Sequence, residues 1–454
     1  MKLTFYGGAK SVTGANYLLE EGDLKILIDC GLFQGSKYAE ELNYTNFSYD
    51  PSTIDYLLVT HSHIDHVGRI PKLYRDGFRG VLMATRATLD LIAVALPDNM
   101  ELIKEEAKRD SHEPLFKTDD LNNVLTLGRG VDYGEVIRVG EGVEIKFMEA
   151  GHILGSAVIE IVYATQEGSK KIYFSGDLGN PPTPLLNLPY EPKDADYMVI
   201  ESAYGSRIHE DRAERKQILI DTIEETIKRG GTLMIPSFAI ERTQELLYEL
   251  NNLVNENKIS PVPVFVDSPL AVSITAVYRK YLDYFNQSTK YIIDSGDDIF
   301  NFPGLVLTRT TSESKKINDI VGPKIIIAGS GMSVGGRILH HEYRYLPDPN
   351  STVLIIGYQV EGSPGRRILD GEKTIKIFGE TVPINCHVKA IGGYSAHADQ
   401  ATLFKWVSGS AGKLKKVFVV QGEEEAADVL AQKITSELST EAIVPGITDS
   451  FDLI

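Results

Sequence analysis

Hydrophobic positions in the first part of this chain come in short runs. Residues 25–29 (KILID), 54–60 (IDYLLVT), 143–148 (VEIKFM), 158–163 (VIEIVY), 171–175 (KIYFS) and 196–200 (DYMVI) are rich in Val, Ile and Tyr and are bounded by turn residues. Such runs predict buried strands. Helical periodicity runs over 86–108. From about residue 205 the pattern changes. Helices predicted at 212–228, 241–255 and over most of 268–286 alternate with strands at 232–236 (TLMIP), 262–267 (VPVFVD), 306–308, 324–328 (KIIIA) and 351–358 (STVLIIGY). That alternation predicts a parallel α/β sheet. After 378 short strands return at 388–391 and 417–421, followed by a helix at 426–438. One α/β unit is therefore expected inside another.

Composition narrows the class. The 454 residues are 43% hydrophobic and 24% charged, which excludes a disordered or fibrous chain and suggests two or three domains. Two cysteines, Cys30 and Cys386, cannot build a disulfide framework or a thiolate zinc site. The opening MKLTFYGGAKSV has no apolar run of signal-peptide length, and no window approaches the roughly 18 apolar residues of a membrane span. A cytoplasmic protein with no membrane partner is expected. The net charge of −17 argues against a simple basic nucleic-acid binder. Most of that acidity lies outside 205–381, so the inserted segment, close to neutral, has room for local basic patches.

The chemistry is concentrated in THSHIDHVG. His61, His63, Asp65 and His66 fall within six residues, directly after a predicted strand, in a chain with only 10 histidines. Imidazole and carboxylate suit zinc and its first-row neighbours. His61 and His63 can meet one ion from an extended turn, while Asp65 and His66 point to a second place. His152 in AGHILGSA and Asp177 in FSGDLG also follow strand-like runs and are flanked by glycines. Taken alone, each reads as easily as a core histidine or a turn former. Beside the histidine cluster they become candidate ligands, and Asp29, closing KILID, becomes a carboxylate that orients a ligand histidine.

The order Asp29, HSHIDH, His152, Asp177 resembles the metallo-β-lactamase superfamily. ESAYG (201–205), IPSFAIERTQELL, VDSPLA, GSGMSVGGRILHH (329–341) and GYSAHAD (393–399) resemble its β-CASP ribonucleases, above all the compact bacterial and archaeal relatives of the mRNA 3′-end cleavage endonuclease. The resemblance implies a four-layer αββα metallo-β-lactamase domain in two parts, 1–204 and 382–454, with an inserted parallel α/β β-CASP domain at 205–381. It implies two zinc ions, one on His61, His63 and His152, the other on Asp65 and His66, with Asp177 bridging. Glu201 matches the family's first insertion-linked acidic motif, and His397 matches a histidine close to the scissile phosphate. The implied activity is hydrolysis of single-stranded RNA by a metal-bound hydroxide, with catalytic roles for Asp65, Asp177, Glu201 and His397. A homodimer is a further expectation.

One residue departs from the family. RNA-cleaving members carry a histidine in a VHGE-like turn beside the second metal; here the text is VVQGEEE, with Gln421. A glutamine oxygen is a weaker zinc ligand than imidazole. Three readings follow: a second site that is weaker or takes a harder ion such as Mn²⁺, an enzyme with one tightly held ion, or a non-cutting RNA-binding scaffold. A DNA nuclease of the same superfamily is a further alternative. For gripping the strand, Ser330, Gly335, Gly336 and Arg337 in GSGMSVGGR offer backbone N–H groups and a guanidinium, although a tight strand-to-helix turn explains the glycines equally well. Arg366 in SPGRR and Ser395 in GYSAHAD complete the candidate contacts.

Overall fold

The computed structural model describes every residue except 110, 210–213, 358, 361 and 392–394. The expected first two residues of the 212–228 helix, the last of the 351–358 strand, and residues 393 and 394 of GYSAHAD lie outside that set. The chain forms two compact units, one of Met1–Ile208 with His397–Ile454, the other of His209–Ala396.

The first unit is built on two seven-stranded sheets. One runs, edge to edge, through Ser450–Asp452, Lys2–Gly7, Asn16–Glu21, Leu24–Ile28, Tyr56–Leu58, Val81–Thr85 and Gly128–Val131. The other runs through Glu441–Ile443, Lys416–Val420, Tyr197–Glu201, Gly168–Phe174, Ala157–Thr165, Val143–Glu149 and Ile137–Gly140. Their inner faces share one core, in which Phe5, Tyr17 and Ile28 pack with Phe147, Ile159, Phe174 and Phe418. The outer face of the first sheet is covered by Val67, Ile70, Ile92 and Leu96 from helices, and that of the second by Leu403, Trp406, Leu430 and Ile434. The layers are thus α, β, β, α. Strands sandwiched in this way are apolar on both faces, which is why KILID and DYMVI read as continuous runs. The strands Lys2–Gly7 and Asn16–Glu21 escaped the pattern because glycines and polar residues crowd their connection.

The second unit carries a six-stranded sheet in the order Leu305–Leu307, Val264–Val266, Lys324–Ala328, Thr232–Pro236, Thr352–Ile355, His387–Ala390, with every neighbouring pair parallel. A hairpin of Thr374–Ile377 and Glu380–Pro383 was not legible as strands. The helix expected over most of 268–286 ends at Lys280, where Tyr281 leaves helical geometry, and a 3-10 turn, Leu282–Tyr284, follows.

At the end of Val264–Val266 stands Asp267, fully buried. Its Oδ1 accepts from Thr308 Oγ1 at 2.6 Å and Arg337 Nη1 at 2.7 Å; its Oδ2 accepts from Ser314 Oγ at 2.6 Å and His341 Nε2 at 2.8 Å. Burial opposes the charge, but these four donors, led by His341, outweigh it and hold the carboxyl well below the usual carboxylate range.

Asp267→Ala is expected to cost about 3–5 kcal/mol, the range for removing one partner of a buried ion pair. Because the folded-state pKa is depressed, the ionised carboxylate stabilises above its unfolded pKa of roughly 3.9 and loses that effect as pH falls toward the folded value. Urea unfolding of both proteins at pH 7 and pH 3 checks this: the gap between them narrows in acid.

Candidate metal centre

The candidate residues of the first unit sit just beyond strand ends. Asp29 follows Leu24–Ile28, and His61 lies three residues after Tyr56–Leu58. His152 and Asp177 each lie three residues past a strand, Glu201 closes one, and Gln421 directly follows another. The parallel pairs Leu24–Ile28 with Tyr56–Leu58, Gly168–Phe174 with Tyr197–Glu201, and Tyr197–Glu201 with Lys416–Val420 aim these ends in common directions. Close approach of the loops depends on glycine: a Cβ on Gly179 would lie 1.9 Å from the carbonyl oxygen of Gly151.

Four ligand atoms converge. His63 Nδ1 lies 3.1 Å from His61 Nε2 and 3.2 Å from His152 Nε2. Asp177 Oδ2 lies 3.4 Å from His61 Nε2 and 3.5 Å from His152 Nε2. An ion held tetrahedrally at about 2.0–2.1 Å from each ligand would space the ligands by about 3.3 Å. These four spacings match it closely. Burial, and after it the charges of neighbouring imidazoles, push His63 and His152 well below the usual histidine pKa, so both rings are neutral and offer lone pairs. Asp177 is the anion at the centre; burial opposes its charge, but His66, His61 and His397 hold its pKa well below the carboxylate range. This set fits a divalent metal ion.

Orientation comes from Asp29, whose backbone adopts φ 58°. Its Oδ1 accepts from Thr60 N at 2.8 Å, and its Oδ2 accepts from Thr60 Oγ1 at 2.8 Å and His66 Nδ1 at 2.7 Å. Having donated to Asp29, the Thr60 hydroxyl accepts from His61 Nδ1 at 3.1 Å, which turns His61 Nε2 inward. Asp29 therefore orients two histidines, one directly and one through Thr60, a residue the sequence pattern had not marked.

Asp65, His66 and Gln421 are arranged differently. His66 Nε2 is 3.3 Å from Asp177 Oδ1 and 3.8 Å from Asp65 Oδ2. Gln421 Nε2 lies 2.7 Å from His66 Nε2 and 3.4 Å from Asp177 Oδ1, and Tyr17 OH donates to Gln421 Oε1 at 3.2 Å. At His66, burial opposes the proton, but Asp177, Asp29 and Asp65 outweigh it and hold the pKa well above the usual value.

Beside the four ligands, His397 Nδ1 lies 3.1 Å from Glu201 Oε2 and 3.7 Å from Asp177 Oδ2. The buried Glu201 also accepts from Leu178 N at 2.6 Å, which locks its carboxylate. Burial works against an imidazolium at His397, yet Glu201 and Asp177 push its pKa up to about 9. The ring remains 30% exposed, so a substrate can reach it.

In the second unit the candidates have partners of their own. Ser330 Oγ accepts from the N–H groups of Val334 at 3.1 Å and Gly335 at 3.3 Å, so the Gly335 donor is already engaged. Gly336 occupies left-handed backbone at φ 76°. Arg337, expected to hold phosphate, is committed to Asp267 and to the carbonyl of Arg309. Arg366 pairs with Asp370, one helical turn on, at 2.9 Å and 3.0 Å. These guanidiniums bond carboxylates because carboxylates lie within reach, information a linear motif lacks. Ser395 is half-buried.

Comparison with known proteins agrees with this layout. The family model "Metallo-beta-lactamase superfamily" matches residues 12–210, "Beta-Casp domain" matches 243–368, and "Zn-dependent metallo-hydrolase RNA specificity domain" matches 381–445. The chain is 38% identical over 425 residues to Ribonuclease TTHA0252 of Thermus thermophilus, covering 94% of each chain. It is 31% identical to an RNase J-like protein of Methanocaldococcus jannaschii, over 98% of this chain and 97% of that one. The same organism's Transcription termination factor FttA is 30% identical over 98% of this chain and 70% of its own length. A crystal structure of a protein of unknown function from Enterococcus faecalis V583 shares the fold, with TM-score 0.59 at 13% identity, over 100% of this chain and 99% of that one. The family models and the relatives named ribonuclease define a hydrolytic nuclease of the metallo-hydrolase class. The chain belongs to the β-CASP ribonuclease family of the metallo-β-lactamase superfamily.

Thr60→Val keeps the shape of the side chain but removes the acceptor for His61 Nδ1. Its affinity for zinc, used as a probe and read by competition with a chromophoric chelator, is expected to fall about 10–100-fold.

Proposed function

We propose that this chain is a zinc-dependent ribonuclease that hydrolyses phosphodiester bonds of single-stranded RNA in RNA processing or decay. The observation that carries the reading is the Glu201–His397 pair, 3.1 Å apart and next to the His61, His63, His152 and Asp177 donor set. The names of the relatives, Ribonuclease TTHA0252 and RNase J-like protein, supply the substrate class.

A bound divalent ion would supply Lewis-acid polarisation of the phosphate and a water acidic enough to ionise near neutral pH. His61, His63, His152 and Asp177 would hold it. Asp177 would also bring negative charge that keeps the neighbouring imidazolium protonated. His397, whose proton Glu201 and Asp177 stabilise, would donate from the ring to a phosphate oxygen or to the leaving oxygen. Glu201, locked by Leu178 N, would fix the direction of that ring and preserve its proton. An acidic chain suits this division of labour, because positive charge is needed only at the reacting phosphate. Work in the cytoplasm is consistent with both thiols: Cys30 and Cys386 are buried and free, and burial pushes each up to about 12. Among the described residues, no helix is long and apolar enough to cross a membrane.

The test is cleavage of a 5′-labelled single-stranded RNA beside a DNA of matched sequence, with zinc present. RNA alone should be cut, and His63→Ala should abolish cutting. His397→Ala should lower the single-turnover rate by about 10²–10⁴-fold, the usual contribution of a positioned acid–base group, while the metal content stays unchanged. Cutting of DNA in preference to RNA would assign the chain to DNA instead. A chain that binds metal and RNA yet cuts neither nucleic acid would be a scaffold.

A further inference from the structure

Gln421 stands where a second metal ion would draw its ligands. We infer that its amide closes that position, so the centre holds a single ion, on His61, His63, His152 and Asp177. The inference rests on the metal-centre reading above and concerns how many ions that centre takes.

Spacing is the first argument. Two ligands of one tetrahedral ion lie about 3.3 Å apart, and four of the spacings in the converging set fall at 3.1–3.5 Å. Gln421 Nε2 and His66 Nε2 are 2.7 Å apart. That is hydrogen-bond distance, well below the spacing of two ligands on one tetrahedral ion.

Protonation is the second. Asp29 Oδ2 accepts a hydrogen bond from His66 Nδ1 at 2.7 Å. A neutral His66 therefore keeps its lone pair on Nε2, and the group facing that lone pair must be a donor. The amide N–H is such a donor, and it uses the lone pair a metal would need. A charged His66 ring would need the amide turned about, its oxygen toward Nε2 and its N–H₂ toward the Tyr17 hydroxyl, and again Nε2 would have nothing to offer a cation. An amide carries both a donor and an acceptor, so it satisfies either state of the ring.

The pocket around the amide is built for it. Tyr17 OH holds Oε1 at 3.2 Å, and the backbone N–H of Gln421 donates to Gly8 O at 2.7 Å. A Cβ on Gly8 would lie 2.5 Å from the Tyr17 hydroxyl and 3.2 Å from Gln421 Cγ, so glycine there makes room for the pair. Gln421 is 3% exposed and sits at φ 49°, a backbone region that side-chain-bearing residues rarely adopt. With its amide engaged on both sides, Asp65 Oδ2 and Asp177 Oδ1 are, among the described residues, what remains to face a second ion, and two carboxylate oxygens do not make a zinc site.

Cobalt(II) reports coordination through its visible absorption. Metal-stripped protein titrated with Co²⁺ should saturate at one equivalent per chain, and Gln421→His should saturate at two. Asp65→Asn should stay at one equivalent, which keeps the inference testable if the Gln421 variant fails to fold. Two equivalents in the unaltered chain, with Co²⁺ or with Mn²⁺ measured by metal analysis after gel filtration, would overturn it. A folded Gln421→His protein that still takes one equivalent would overturn it too, as would loss of the single equivalent in Asp65→Asn. Binding of no ion at all would remove both this inference and the metal-centre reading beneath it.

Discussion

A carboxylate removed from water must find cations or donors, and Asp177 is the carboxylate around which the first unit is organised. Four imidazoles, those of His61, His66, His152 and His397, stand within 3.7 Å of its two oxygens. Each is delivered from a different strand end or its loop, apart from the closely spaced His61 and His66. Those ends must meet within a few tenths of an ångström. Two sheets packed face to face through an aromatic and aliphatic core supply the rigidity. Polar loops beyond the strand ends could not hold this geometry by themselves, because a loop that is free to move would relax away from a buried charge.

The two units use the same local device. In each, an aspartate directly after a strand turns back and collects hydrogen bonds from a threonine, a histidine and further donors. Asp29 takes Thr60 and His66, and Asp267 takes Thr308, His341, Ser314 and Arg337. The outcomes differ because of what lies next to the bonded rings. Beyond His66 and Thr60 other histidines converge, so Asp29 serves a candidate metal centre. Beyond Arg337 and His341 the chain closes into the GSGMSVGGR turn, so Asp267 fastens a loop. Arg337, which looks in a linear reading like a grip for phosphate, bonds a carboxylate through Nη1 and a carbonyl oxygen through Nη2.

Legibility followed the range of the physics. Strands buried on both faces announce themselves as apolar runs, and those read correctly at 25–29, 171–175, 232–236 and 324–328. Short exposed pairs such as Thr374–Ile377 with Glu380–Pro383 carry no such run, since only alternate residues are buried. The pocket followed the same rule. His61, His63, Asp65 and His66 were visible as a cluster because they share one turn. His152, Asp177, Glu201 and His397 gained meaning only from that cluster and from the family resemblance. Thr60 and Tyr17 gave no signal, because a hydroxyl that orients a neighbour looks like any other hydroxyl until the neighbour is in place.

From sequence alone came the alternation of elements, the nested arrangement of two α/β units, the ligand types and the one departure at Gln421. Those are properties of residue identity and local spacing, and periodicity transmits them directly. Tertiary structure decided which lone pairs face one another across as many as 355 residues of chain, between His66 and Gln421. It also decided that Asp29 reaches His61 through Thr60, that Arg337 belongs to Asp267, and that the Gln421 amide lies 2.7 Å from His66 Nε2. Hydrogen bonds and metal ligation are set within fractions of an ångström, and that precision exists only once distant strand ends have been packed together.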